Sequence, residues 1–397
     1  MSGTFEIIPQ PIRHTPDGQL RSCLVRHIGE GTRCTDKELW ILYPPDIPMT
    51  CDEDADAYLI ATLLPAMKAG ADVRIYGSVS HELLANLTEL QMAWRKWCPS
   101  LYHVVQMQVQ CVREVETRMA GAVVAFSGGA DAQFTVYRHA KGQAGFLTQS
   151  LHAGVFVHGF DIPLSDTYGF IGAARMAAEV LNDIDLRLIP VKTNMRDLWE
   201  INWEHYCAAA ISSVLTGLKN YAGTGLIGSG EPYDSLVTPW GSNPITDPLL
   251  SSGEFRIHHD GAGFSRSEKI KMLAKWPTGT QHLRVCWAGE LNDRNCGCCE
   301  KCVRTRLNFL LAGVQNPDCF DGPVEAGCFN SIVLRSEAAK AEWRLIKEEM
   351  LKTGIGKEWL GQVKKVLDRK ASPRFGTLLP PGSHRRTWAK KIRQLWK

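Results

Sequence analysis

Apolar residues change their spacing sharply at the centre of the first half of the chain. Residues 121–126 form a short apolar run containing two valines, the pattern of a strand buried on both faces, and residues 132–140 space their apolar positions as a helix. Upstream, 39–43 and 72–76 predict strands, 54–69 and 82–97 predict amphipathic helices, and 102–112 alternates as a third strand. Pro65 predicts a kink in the first of these helices. Downstream, 154–161, 186–193, 226–233 and 255–259 predict strands or strand-to-loop junctions, and 167–181 and 203–218 predict helices. Ser265 with Glu268 three residues later is a capping box, so a helix begins there. A strand-like segment ends at Cys286, a helix covers 303–311, and two amphipathic helices cover 336–351 and 357–369. Strands alternating with helices predict an α/β chain with a central parallel sheet.

The chain has 397 residues, 44% of them apolar and 22% charged, with a net charge of +3. That length holds two cores. We expect an N-terminal α/β domain at 1–118, a nucleotide-type domain at 119–315 and a helical extension at 316–397. No apolar run approaches the roughly 20 residues that span a bilayer. The first residues lack a basic start followed by an apolar stretch, so a cytoplasmic location without membrane attachment is expected. In that compartment thirteen cysteines suggest metal ligands rather than a disulfide framework. Cys23, Cys34, Cys51, Cys98 and Cys111 show no ligand spacing and read as buried thiols, as does Cys207.

Between the central strand and helix lies Ser127-Gly128-Gly129-Ala130-Asp131. Two glycines let the main chain turn several amides toward one point at the positive end of a helix. Ser127 adds a hydroxyl, and Asp131 can hold Mg²⁺ or a ligand hydroxyl. This is a cradle for phosphate oxygens, although an ordinary strand-to-helix turn has the same letters. It matches neither the Walker pattern nor Gly-x-Gly-x-x-Gly. Asp161, at the end of the next strand, is placed to bond a ribose hydroxyl or to cap a turn. Gly228, Ser229 and Glu231 are candidates to line the same cleft. The loop 238–252 reads as a substrate lid through Ser242, Asn243 and Asp247, or as a plain connection. Arg266 and Lys269 sit in the first turns of a helix, where the dipole disfavours cations. They answer an anionic phosphate or form a solvated face.

Cys286, Cys296, Cys299 and Cys302 have the spacing Cys-x9-Cys-x2-Cys-x2-Cys, which closes tetrahedrally on Zn²⁺ and leaves Cys298 spare. Four sulfurs leave no open position, so the metal is expected to hold the fold. The triple Cys-x2-Cys-x2-Cys also begins an iron–sulfur pattern, without the fourth Cys-Pro spacing, and a redox pair for sulfur transfer is a further alternative.

Strand, Ser-Gly-Gly-x-Asp and helix together resemble the PP-loop of N-type ATP pyrophosphatases. Joined to the cysteine motif, they resemble the 7-cyano-7-deazaguanine synthases (QueC-like enzymes) over residues 121 to about 315. The resemblance implies an adenine-nucleotide α-hydrolase-like (HUP) sheet domain. It implies ATP bound by Ser127, Gly128, Gly129, Ala130 and Asp131, and zinc bound by Cys286, Cys296, Cys299 and Cys302. It also implies an ATP-dependent ligase that adenylates a 7-deazaguanine-type acid, releases pyrophosphate and passes the acyl group to ammonia or another amine. The family's second serine is Ala132 here. The N-terminal domain and C-terminal extension are additional, as in paralogues from antiviral defence cassettes.

Residues 380–397 interleave basic residues with Trp388 and Trp396, and no acidic residue follows Arg369. That pattern suits nucleic acid, an acidic partner protein, or packing on the body of the chain. The tail makes a nucleic-acid-modifying enzyme on the same loop a further expectation, and Ala132 makes a non-catalytic nucleotide-binding subunit another.

Overall fold

The computed structural model describes residues 3–29, 35–114, 117–286, 288 and 292–369. The basic tail at 380–397 lies outside the described residues. The chain runs β1 (Thr4–Thr15), β2 (Gly18–Ile28), β3 (Thr35–Tyr43), α1 (Asp56–Ala69), β4 (Asp72–Ser80), α2 (His81–Trp97) and β5 (Met107–Arg113). It continues with β6 (Ala122–Ala125), α3 (Ala130–Ala140), β7 (Leu151–His158), α4 (Thr167–Asn182), β8 (Arg187–Thr193), α5 (Met195–Leu198) and α6 (Trp203–Thr216). Then come β9 (Thr224–Gly228), β10 (Arg256–Asp260), α7 (Arg266–Leu273), α8 (Pro277–Gln281), α9 (Glu300–Leu311), α10 (Glu337–Thr353) and α11 (Leu360–Asp368).

All ten strands form one mixed, mostly parallel sheet in the order β10-β9-β6-β7-β8-β3-β2-β1-β4-β5. From β10 to β8 every pairing is parallel. Within this half the chain starts at β6, steps to β7 and β8 on one side, then crosses back to β9 and β10 on the other. The return over the opposite face is made by α6, which packs with Val123 and Ile227, whereas Val124 packs with α3 and α4. Successive residues of β6 thus feed cores on opposite faces, as the two-residue period of a strand requires.

The stretch 1–118, expected as a unit of its own, adds its strands to the same sheet. The seam is the antiparallel pairing of β3 with β8 through Ile41↔Thr193 and Leu42↔Lys192. Thr193 Oγ1 donates to Trp40 O at 2.7 Å, and Asn194 Oδ1 accepts from Trp40 N at 3.0 Å. The β1–β2 hairpin was not visible in the apolar pattern, because Pro9 and Pro11 interrupt a run that otherwise reads as a strand. Its turn holds Gly18 at φ +140°, where a Cβ would strike Tyr43 O at 2.1 Å.

Helix α1 is buried on nearly every side from Asp56 to Met67. Pro65, expected to kink it, lies within an uninterrupted helical span. Proline cannot donate to the carbonyl four residues back, and the Tyr206 hydroxyl on α6 fills that place by donating to Ala61 O at 2.7 Å. Helix and partner therefore compensate the missing bond across an interface. The strand expected at 102–112 begins only at Met107, since Tyr102 and Val105 turn into the core. Residues 283–286, expected to be strand-like, are irregular. No helix among the described residues is long and apolar enough to cross a membrane.

A buried ion network closes the other half of the molecule. Lys219 Nζ lies 2.9 Å from Asp54 and 3.1 Å from Asp56, and Arg113 reaches Asp54, Asp56 and Glu254 at 3.2, 2.9 and 3.1 Å. Asp54, Asp56 and Lys219 are at most 3% exposed. These residues come from the start of α1, the α6–β9 connection, β5 and the lead into β10. Replacing Lys219→Met would leave two buried carboxylates short of a cation, and the expected loss of about 3–5 kcal/mol is read from denaturant unfolding.

Candidate functional site

The loop 127–131 leaves β6 where the order of strands reverses, at the carboxyl end of the parallel half. In open α/β sheets this crevice is where ligands bind. Gly128 has φ +75°, a conformation that side-chain-bearing residues rarely adopt, and Gly129 is the N-cap of α3 in an extended conformation. Gly129 N donates to Ser127 Oγ at 3.3 Å. The first-turn amides of α3 have no acceptor within the helix. A cleft of about 120 Å³ opens at this point, lined by Ser127, Gly129, Ala130, Asp131 and Asp161 together with Arg266, Arg284, Lys301, Arg304 and Thr305.

Asp131 pairs with Arg266 Nη2 at 2.9 Å and Lys269 Nζ at 3.2 Å. Burial would raise its carboxyl, but Arg266 and then Lys269 outweigh it and hold Asp131 below the usual range. The two cations at the start of α7 therefore have a protein carboxylate as their direct partner. Lys269 is fully buried, and desolvation pulls its ammonium below the ordinary lysine value. Its Nζ also donates to Ser229 O. Burial, with Arg304 and Arg266 nearby, brings Lys301 down to about 7.

Arg284 was not singled out by the sequence pattern, and it straps the loop. Its amide donates to Gly128 O at 3.0 Å and its guanidinium to Ser127 O at 3.1 Å. Lys301, Arg304 and Thr305 were also missed. The one signal in the sequence was their position beside the cysteines: Arg284 precedes Cys286 by two residues, and Lys301 and Arg304 flank Cys302.

Several expected residues are placed elsewhere. Gly228 packs β9 against α3: a Cβ there would meet Asp131 O at 2.7 Å, so its role in this structure is close approach of two backbones. Glu231 accepts from Val237 N at 2.9 Å, and burial raises its carboxyl. In the loop 238–252, Ser242 Oγ and Asn243 N both donate to Asp247, which also meets His259 Nδ1 at 2.7 Å. Asp247 and Asn243 are buried, so these side chains knit a packed connection instead of facing the cleft as a lid. Ala132 packs in the core behind the loop.

Cys286, Cys296, Cys299 and Cys302 bring their sulfurs within 4.8 Å of one another. The separations are 3.7 Å for Cys286–Cys299, 3.9 Å for Cys296–Cys302 and 3.4 Å for Cys299–Cys302. Sulfurs bound tetrahedrally at ~2.3 Å to zinc stand about 3.8 Å apart, so the four thiols can hold a metal such as zinc. Hydrogen bonding with Cys302, against the opposing effect of burial, pulls Cys299 down to about 5, which suits a thiolate ligand. Asn295 Oδ1 accepts from Val285 N and Cys286 N at 2.9 and 3.2 Å and so ties the two ligand-bearing stretches together. Gly297, at φ +78°, makes the tight turn of the knuckle.

Cys298 is not spare. It forms a disulfide with Cys328, Cα–Cα 4.9 Å, because the turn at Ala326–Ser331 packs against α9 in the C-terminal core. Among the cysteines expected as buried thiols, Cys23 is buried, Cys98 and Cys207 are half-buried, and Cys51 and Cys111 are exposed. Cys34 lies outside the described residues.

Comparison with protein-family models, with curated proteins and with solved structures finds no match. The site is therefore interpreted from its own chemistry.

Cys302→Ser is expected to reduce bound zinc, measured by metal analysis of the purified chain, to background. It should also increase proteolytic cleavage in 284–305, since one metal crosslink holds both ends of that stretch. In the unsubstituted protein, acid should release the metal, because protons compete for the thiolates.

Proposed function

We propose that the protein is an ATP-dependent, adenylate-forming C–N ligase with a PP-loop, similar to the 7-cyano-7-deazaguanine synthases and built on a HUP-type sheet. The observation supporting this reading is the convergence of Arg266, Arg284, Lys301 and Arg304 on a cleft at a glycine loop, at the reversal point of a parallel sheet, with the buried Lys269 paired to Asp131 behind it. Such a wall suits the polyphosphate of a nucleotide, with first-turn amides of α3 completing the contacts.

In this reading the α-phosphate of ATP lies at the cleft mouth near Asp161, and the β- and γ-phosphates lie against Ser127–Asp131. Phosphate oxygens would compete with Asp131 for Arg266, which lines the cleft, and Asp131 would be the residue to hold Mg²⁺. The metal would neutralise charge on the leaving pyrophosphate. The substrate carboxylate attacks the α-phosphorus, the bond to the bridging oxygen breaks, and pyrophosphate departs with the electron pair. An amine then attacks the acyl carbon, AMP leaves, and the nitrogen loses its proton. Residues of this chain position and neutralise; none need form a covalent bond to substrate. The four sulfurs act at a distance by holding Arg284, Lys301 and Arg304 in the wall.

Position 132 favours a second reading, a nucleotide-binding subunit without turnover. Alanine there lacks the hydroxyl of the related PP-loops.

The test uses 7-carboxy-7-deazaguanine, ATP and ammonia, with AMP and pyrophosphate followed by mass spectrometry. Asp131→Ala should lower formation of both by roughly a hundredfold or more. Normal release of both by that variant would overturn the mechanism, and ATP binding with no AMP in the unsubstituted protein would select the second reading.

A further inference from the structure

Glu342 and Trp343 are neighbours on α10, in the segment beyond the cysteine cluster, and are 4% and 0% exposed. Trp343 Nε1 donates to Glu300 Oε1 at 2.7 Å, and the same oxygen lies 3.1 Å from Arg304 Nε. Glu342 Oε2 stands 3.8 Å from Arg304 Nη1. Arg304 is part of the cleft wall, so α10 reaches the site through two consecutive residues.

Glu342 Oε1 has no hydrogen-bond donor among the described residues. Burying a carboxylate with an unsatisfied oxygen is unfavourable, and an apolar residue of similar volume would serve packing as well or better. Arg266 feels the same charge: against its burial, Asp131 and then Glu342 keep its guanidinium firmly protonated. Glu342 thus stands behind two of the cations that face the loop, and it is not among the residues lining the cleft.

We infer that Glu342 is a counter-charge that limits how tightly the cleft holds a polyphosphate, so that the C-terminal helix α10 tunes the site. The inference rests on the reading of the cleft as a polyphosphate site. Arg266, Arg284, Lys301 and Arg304, which line the cleft, would without such opposition hold pyrophosphate after the acyl-adenylate forms, and release would become slow. A carboxylate placed behind Arg304 and Arg266 weakens the phosphate contacts of those two cations without occupying the space a ligand needs.

Pyrophosphate binding to the full chain, measured by titration calorimetry at low and high salt, tests this. Glu342→Gln should tighten binding roughly three- to tenfold at low salt, with a smaller gain at high salt. In an Arg304→Ala background the same substitution should give a smaller gain, because its contact with Arg304 is lost and its effect through Arg266 remains. A folded Glu342→Gln protein with unchanged or weaker affinity would overturn the inference, since that is what a merely structural role gives. Should Glu342→Gln not fold by circular dichroism, Glu342→Met, which also removes the charge at similar size, is held to the same outcomes. Absence of pyrophosphate and ATP binding in the unsubstituted protein would remove the reading of the cleft and this inference with it. Binding without tightening would remove this inference alone.

Discussion

Four sulfurs drawn within 4.8 Å of one another join the two stretches of chain that supply much of the cleft's positive charge. Arg284 lies just before the first ligand, and Lys301 and Arg304 lie around the last. The stretch before Cys286 has no strand to hold it, since residues 283–286 are irregular, whereas Lys301, Cys302 and Arg304 lie in α9 just after the turn at Gly297. A metal held by the four sulfurs would fix the separation of the two stretches, and Arg284 links the first of them to the loop by bonding Gly128 and Ser127. Such a centre, with all four positions taken by sulfur, would supply no reactive position.

Part of the charge near the loop is paired within the protein. Asp131 sits between Arg266 and Lys269, and Glu300 and Glu342 oppose Arg304. Arg266, Lys269 and Arg304 each have a carboxylate close by, so their charge is not buried bare, and such self-pairing favours an ordered pocket. The C-terminal helices belong to this arrangement through Trp343 and Glu342.

The remainder of the molecule keeps the parallel half in place. Pairing of β3 with β8 continues the sheet into the hairpin and onward to β5, and the ion network around Lys219 joins Asp54 and Asp56 to Glu254 at the foot of β10. Helices α1 and α6 share one bond that neither could make alone, the Tyr206 hydroxyl on Ala61 O beside Pro65. Movement of the N-terminal strands would therefore disturb the same sheet that presents the loop.

Local rules were enough for much of this. The strand–loop–helix around residues 121–140 follows from period and glycine conformation, both properties of a few adjacent residues. So do the Ser265–Glu268 cap and the spacing of the four cysteines. Sequence could not show that Arg284, Lys301 and Arg304 turn toward the loop, or that Asp131 rather than solvent is the partner of Arg266 and Lys269. It could not pair Cys298 with Cys328, or turn Ser242, Asn243 and Asp247 inward. Gly228 looked like a ligand-lining glycine and is a packing glycine, since the atom that forbids a side chain there belongs to another element. These outcomes depend on contacts between residues tens to hundreds of positions apart, which only the packed sheet and its two cores bring together.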